Sequence, residues 1–191
     1  MPKSGTTKID LLEAAEYALR SRGFDGFSYA DLSAAVGIRK ASIHYHFPTK
    51  AILSEALMDR YSAQIADQCE AISNANPSAS ARLVGLIELY RTALSTGRTL
   101  CLCVAMTTSR NSLSEGVTAK INAFRAQMIS WITSVFELAA TDGTITGASH
   151  PTQEAHATLA LLEGAHLAAR AEENPAVFDR ALAHLTARCN T

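Results

Sequence analysis

Residues 28–48, SYADLSAAVGIRKASIHYHFP, hold two short runs of helical period, parted by one glycine and stopped by one proline. Few arrangements satisfy such a stretch. Ser28, with Asp31 three residues on, gives the first run a start like a capping box. Gly37 supplies the left-handed residue that ends it. The second run, about residues 39–46, ends before Pro48 and places Ile43 and Phe47 four apart, facing Leu32, Val36 and Ile38. Two short helices about a glycine turn, with their apolar residues facing each other, form a helix-turn-helix pattern.

The flanking chain reads as helix throughout. TKIDLLEAAEYALRSR at 7–22 places Ile9, Leu12, Ala15 and Leu19 at helical spacing, and Gly23 stops it. The FDGF turn sets Phe24 and Phe27 beside that helix end, where they can seal a small core. From Pro48 a long helix carries Leu53, Leu57, Tyr61, Ile65 and Cys69 at a constant spacing, until SNANPSAS breaks it at 73–80. Further helices are predicted over 81–96, in TLCLCVAMTTSR, over 114–141, over TQEAHATLALLEGAHLAARAEE, and from Pro175 through Cys189. The 114–141 helix has a stripe of Val117, Ile121, Phe124, Met128, Trp131/Ile132 and Val135. The 191 residues are 48% apolar, rich in Ala and Leu and poor in alternating β-branched residues, with a net charge of −1. Such a composition excludes a disordered chain and argues for an all-α fold over a sheet. The expected organisation is a three-helix unit at 1–50 and a larger helical domain at 51–191, about nine helices in all. No apolar run approaches the ~18 residues of a membrane span, and the N-terminus lacks a signal-peptide core. Cys69, Cys101, Cys103 and Cys189 are few and irregularly spaced, so they read as free thiols of a cytoplasmic protein.

The second helix of a helix-turn-helix is the one that enters a DNA major groove. Residues 1–60 carry eight Lys/Arg against seven Asp/Glu, whereas 61–191 carry nine against eleven. The charge on the first segment is slight, and composition alone would not point to nucleic acid. The second helix itself is more informative. Ala41 and Ser42 leave room for close approach to base edges, and Lys40 can reach guanine acceptors or a phosphate. His44 and Tyr45 can donate to phosphate oxygens. Lys50, at the start of the next helix, could clamp a phosphate with nearby free N–H groups. His44 and His46 lie about 200° apart on a helix and cannot hold one metal ion together; no metal or cofactor is expected.

FDGFSYADLSAAVGIRKASIHYHFPTKAIL resembles the DNA-binding domain of TetR/AcrR-family transcriptional regulators. The shared features are the Gly-Phe turn, the capped helix ending in Gly37, a second helix closing in aromatic-His-Phe, and the lysine and long helix beyond. The resemblance implies a homodimer of all-α subunits, double-stranded palindromic operator DNA as partner, and a C-terminal pocket for a small-molecule inducer. It assigns base contacts to Lys40, Ala41 and Ser42, and backbone contacts to Ser28, Tyr29, His44, Tyr45 and Lys50. Two positions depart from the family. His44 stands where Tyr is usual, which introduces a group whose intrinsic pKa is about 6.5. Arg39 replaces the usual Ser or Thr cap, losing about 1 kcal/mol of helix stability but adding a cation that DNA could use.

In the remaining chain, Tyr90, Met106, Phe124, Met128, Trp131, His156 and His166 fall where a pocket between helices would be lined, although such residues also suit a plain core. TLCLCVAM is similar to the segment of the thiol-sensing NemR-like branch that carries a reactive cysteine. That similarity implies a sensing role for Cys101, with Cys103 close by and Arg170 as the basic residue paired with the thiol's product. On the last two helices, Ala157, Leu161, Gly164, Ala165 and Ala168 form a small-residue face, and Phe178, Leu182, Leu185 and Cys189 a heptad-like stripe. Both suit a four-helix dimer interface. The resulting expectation is a DNA-binding repressor released by an inducer. The alternatives are a Cys101 thiol sensor, or a helical enzyme or interaction protein without DNA binding. No nucleophile–base set, metal spacing or phosphate loop favours the enzyme.

Overall fold

Short-range signals decide where each helix begins and ends. In the computed structural model, which describes residues 4–189, nine α-helices follow one another among the described residues: α1 Ser4–Arg22, α2 Tyr29–Val36, α3 Lys40–His46, α4 Lys50–Ala75, α5 Ala79–Ala93, α6 Leu102–Thr107, α7 Glu115–Asp142, α8 Pro151–Ala171 and α9 Pro175–Thr186. One 3-10 turn, Arg110–Ser112, precedes α7, and the β-type pairing among these residues is a single bridge between Ile145 and Cys189. The helices form two compact units. One reaches to Ala63 and includes Leu102–Ala123; the other comprises Gln64–Cys101 and the chain from Phe124 onward.

In the first unit α1 buries Leu11, Leu12, Ala15, Ala18 and Leu19 and packs on α2 and α6. The sequence stripe began one turn too early, because Ile9 is 53% exposed. The α2 start is a full capping box: the Ser28 N–H donates to Asp31 Oδ2 at 2.7 Å, and the Asp31 N–H donates to Ser28 Oγ at 3.4 Å. Gly37 ends α2 at φ 73°, where any side chain would be strained. In the turn before α2, a Cβ on Gly26 would stand 2.1 Å from the Arg22 carbonyl oxygen, so only glycine fits. Leu32, Ile43 and Phe47 are buried between the short helices, and Val36 and Ile38 are half-buried at their edge.

In the second unit α8 packs on α9, and both meet α5. Helix α4 contributes to each unit, Leu53, Leu57 and Tyr61 to the first and Ile65 and Cys69 to the second, and all five stripe residues are buried. Helix α5 starts at Ala79, earlier than predicted, because Ser78 Oγ accepts the Ala81 N–H and the Asp142 carboxylate accepts the Ala79 N–H at 2.7 Å. The C-terminal end is pinned as well: Arg188 forks onto Glu154 at 2.7 and 2.9 Å, and its Nε donates to the Thr146 carbonyl. The α9 stripe departs from expectation. Phe178, Leu182 and Leu185 are buried within their own subunit, because α9 needs α5 and α8 to cover its apolar side. Ala157, Leu161, Gly164 and Ala168 on α8 are exposed, while Ala165 turns inward. No helix among the described residues is long and apolar enough to cross a membrane.

Candidate nucleic-acid interface and interior cluster

Helix α3 has two faces. Ile43 and the following Phe47 are buried, and this fixes its rotation so that Lys40, Ala41, Ser42, His44 and Tyr45 are exposed, Tyr45 by 82%. Arg39 occupies the N-cap in extended backbone and makes no capping side-chain bond, so its guanidinium is exposed instead. The His44 ring lies with Nδ1 3.3 Å from the Pro48 carbonyl oxygen. A carbonyl only accepts, so Nδ1 carries a hydrogen, and neutral His44 offers outward the lone pair of Nε2. A phosphate contact from that nitrogen requires the imidazolium.

Three of the expected backbone-contacting residues also hold the scaffold. Ser28 is exposed but spends its hydroxyl on Asp31, donating to Oδ2 at 2.7 Å. The two Ser28 bonds, assisted by Arg22, hold the Asp31 carboxyl below the usual range despite the cost of desolvation. The half-buried Tyr29 donates its hydroxyl to the Phe47 carbonyl at 2.8 Å, tying the start of α2 to the end of α3, and burial pushes its pKa up to about 12. Its ring meets His44 edge-on at 4.9 Å. Lys50 departs from the expectation of a free phosphate clamp. Its Nζ turns inward and donates to the carbonyls of Phe24 and, at 2.7 Å, Phe27. It lies 4.5 and 4.1 Å from the centres of those two rings, and desolvation lowers its pKa. The two carbonyls and the two ring faces together hold the ammonium inside the first unit. Ser33 escaped sequence reading: its hydroxyl donates to the Ile38 carbonyl across the α2–α3 turn.

The residues proposed for a pocket are split. Cys103 and Met106, both fully buried on α6, belong to the first unit, while Tyr90, Cys101, Phe124, Met128, Trp131, His166 and Arg170 belong to the second. Cys101 precedes α6 rather than lying on it, and is 1% exposed. Its N–H donates to Nδ1 of the fully buried His166 at 3.0 Å, so the other nitrogen, Nε2, carries the hydrogen and donates to the Tyr90 carbonyl at 2.8 Å. The His166 ring packs edge-on against Tyr90 and Phe178, at 5.3 and 5.5 Å. This histidine is a neutral bracket joining three segments. Arg170, half-buried, pairs with Glu173 at 3.2 Å. Phe124 is core, and His156 is exposed. Met128 and Trp131 line a cleft beside α4 within the second unit. No group of three or more potential metal ligands occurs among the described residues.

Residues 11–57, which span α2, α3 and their supports, match the family described as bacterial regulatory proteins, tetR family. The HTH-type transcriptional regulator TtgR of Pseudomonas putida is 38% identical over 53 residues, which is 28% of this chain and 25% of that protein. The match thus spans about a quarter of the length of this curated relative. A TetR-family transcriptional regulator from Agrobacterium tumefaciens superposes with a TM-score of 0.93 at 26% identity, over 99% of this chain and 100% of that one. Reduced E. coli NemR shares the fold alone, with a TM-score of 0.81 at 23% identity over 97% and 98% of the two chains. The helix-turn-helix segment of this chain thus matches the tetR family of bacterial regulatory proteins, and its whole length shares the fold of a solved TetR-family transcriptional regulator.

Proposed function

We propose that the chain represses transcription by binding a palindromic operator as a homodimer, and that a small-molecule inducer in the second unit releases it. The family comprises regulators and not enzymes. The observation that carries the reading is the division of α3: Ile43 and Phe47 inward, Lys40, Ala41, Ser42 and Tyr45 outward. In this reading Lys40, Ala41 and Ser42 face base edges, while Arg39, Tyr45, Ser28 and the imidazolium of His44 meet phosphates. Tyr29 and Lys50 act chiefly by holding that face in place. The exposed small-residue face of α8, with Leu161 and Leu167 36% and 44% exposed, supports a dimer. Dimerisation would set two recognition helices about 34–36 Å apart for successive major grooves. Inducer and DNA then oppose each other by one coupling free energy.

The test is fluorescence anisotropy on the DNA upstream of the gene at fixed salt, for wild type, Lys40→Ala and Tyr45→Ala. Lys40→Ala is expected to cost about 1–3 kcal/mol of operator affinity. Tyr45→Ala is expected to weaken specific and nonspecific DNA alike. Unchanged affinity in both variants would take the DNA contact away from α3, and no binding by wild type would make the chain an interaction protein without DNA binding.

A further inference from the structure

The second half of α4 and the middle of α7 leave between them a cleft of about 370 Å3, within the second unit, large enough for a small organic ligand. Its wall is apolar, formed by Ala66, Cys69, Met128 and the indole of Trp131. Gln127 lines the cleft as well, and the polar atoms of Ser73 and Trp131 are already paired. Trp131 Nε1 donates to Ser73 Oγ at 3.1 Å, and Ser73 Oγ donates to the Cys69 carbonyl at 3.0 Å. The Cys69 thiol is buried and its pKa is pushed up to about 11, so it stays neutral. A ligand body here therefore needs surface rather than hydrogen bonds.

The charge in the lining has one sign. Glu70 is exposed on the cleft one turn from Ala66 and Ser73, and none of the ion pairs among the described residues uses it. Neighbouring guanidiniums are committed elsewhere: Arg82 donates to the carbonyls of Asn76 and Ser73, and Arg125 pairs with Glu163. A carboxylate beside the half-buried Trp131 offers a cation both an opposite charge and a π face, and repels an anion. We infer that this cleft binds an amphipathic organic cation, with its apolar body against Met128 and Trp131 and its ammonium at Glu70, and that such a cation is the inducer. The second half of this inference rests on the regulatory reading above.

Trp131 is the sole tryptophan of the chain, so its emission reports occupancy directly. The full-length protein is titrated with 4-phenylbutylammonium, 4-phenylbutanol and 5-phenylpentanoate, which share one body and differ in charge. Saturable change in Trp131 emission is expected with all apolar bodies that enter. The cation should bind about three- to tenfold more tightly than the alcohol, and the carboxylate should bind weakest. Glu70→Gln, on an exposed site, should bring the cation down to the alcohol. Equal binding of all three, no saturable change, or a preference that survives Glu70→Gln overturns the site. Operator anisotropy on the same samples separates the two readings. Release by the cation in wild type and not in Glu70→Gln upholds its role as inducer. Cation-selective binding that leaves operator affinity unchanged overturns that role, and a protein that never binds its upstream DNA overturns the regulatory reading, while the emission titration still decides the site.

Discussion

The helix-turn-helix and the interior around His166 both rely on a histidine next to a tyrosine, and the two pairs are used in opposite ways. His44 meets Tyr29 edge-on at 4.9 Å and is exposed, with one ring nitrogen tethered to Pro48 and the other free. His166 meets Tyr90 edge-on at 5.3 Å and is fully buried, with both nitrogens used, one by the Cys101 N–H and one by the Tyr90 carbonyl. Burial accounts for the difference. A buried ring must satisfy both of its polar atoms and the groups it serves, whereas an exposed ring can leave one for a partner. In this protein the exposed imidazole is therefore available for recognition, and the buried one is structural.

Replacing each histidine tests the contrast, and the largest effect is expected at His166. His166→Ala strands the buried Cys101 N–H and the Tyr90 carbonyl and leaves a cavity between Tyr90 and Phe178. The expected loss is about 3–5 kcal/mol in urea denaturation. His44→Ala should change stability by less than about 0.5 kcal/mol, the usual effect of a surface substitution. Comparable losses at the two sites would mean that His44 also serves as a bracket.

The same contrast explains which parts of the molecule were legible in the sequence. The capping box of Ser28 and Asp31, the Gly37 stop and the Leu53-to-Cys69 stripe involve residues a few positions apart, and they appear where the spacing placed them. The outward face of α3 was legible for the same reason, since Ile43 and Phe47 fix the rotation of a single short helix. The inward turn of Lys50 carries no local signal, because the carbonyls it serves lie 23 and 26 residues away. The bracket of His166 spans 65 and 76 residues and carries no local signal. The α9 stripe has a heptad-like period whether its cover comes from the same chain or from another, so the pattern alone cannot assign it to a partner. The split of Cys103 and Met106 from Cys101 likewise follows from α6 packing on α1, a contact about ninety positions long-range in sequence.

A smaller effect is expected from Arg39, where the recognition helix gives up a cap for a charge. Arg39→Ser restores a side-chain oxygen at the N-cap and should stabilise the protein by about 0.5–1 kcal/mol. Operator affinity should fall in the same variant, with a shallower dependence on salt because one phosphate-neutralising cation is gone. A variant that gains stability and keeps both its affinity and its salt slope would show that Arg39 does not contact DNA.

The smallest effect concerns Asp142, whose carboxylate joins the end of α7 to the start of α5. It accepts the Ala79 N–H at 2.7 Å, the Thr144 N–H at 2.9 Å and the Thr144 hydroxyl at 2.8 Å. Desolvation works against the charged form, but these three bonds and the nearby Arg82 outweigh it and hold the carboxyl below the ordinary aspartate range. A depressed folded pKa gives a stabilising contribution that is complete above the unfolded value of about 3.9 and is lost as pH falls through the folded value. Because the group is exposed, screening keeps that contribution under about 1 kcal/mol. Thermal midpoints measured from pH 6 to pH 3 should therefore fall more steeply in wild type than in Asp142→Asn, and the two curves should converge at the acid end. Parallel curves would mean that the amide serves Ala79 and Thr144 as well as the carboxylate does, so that geometry rather than charge makes this junction.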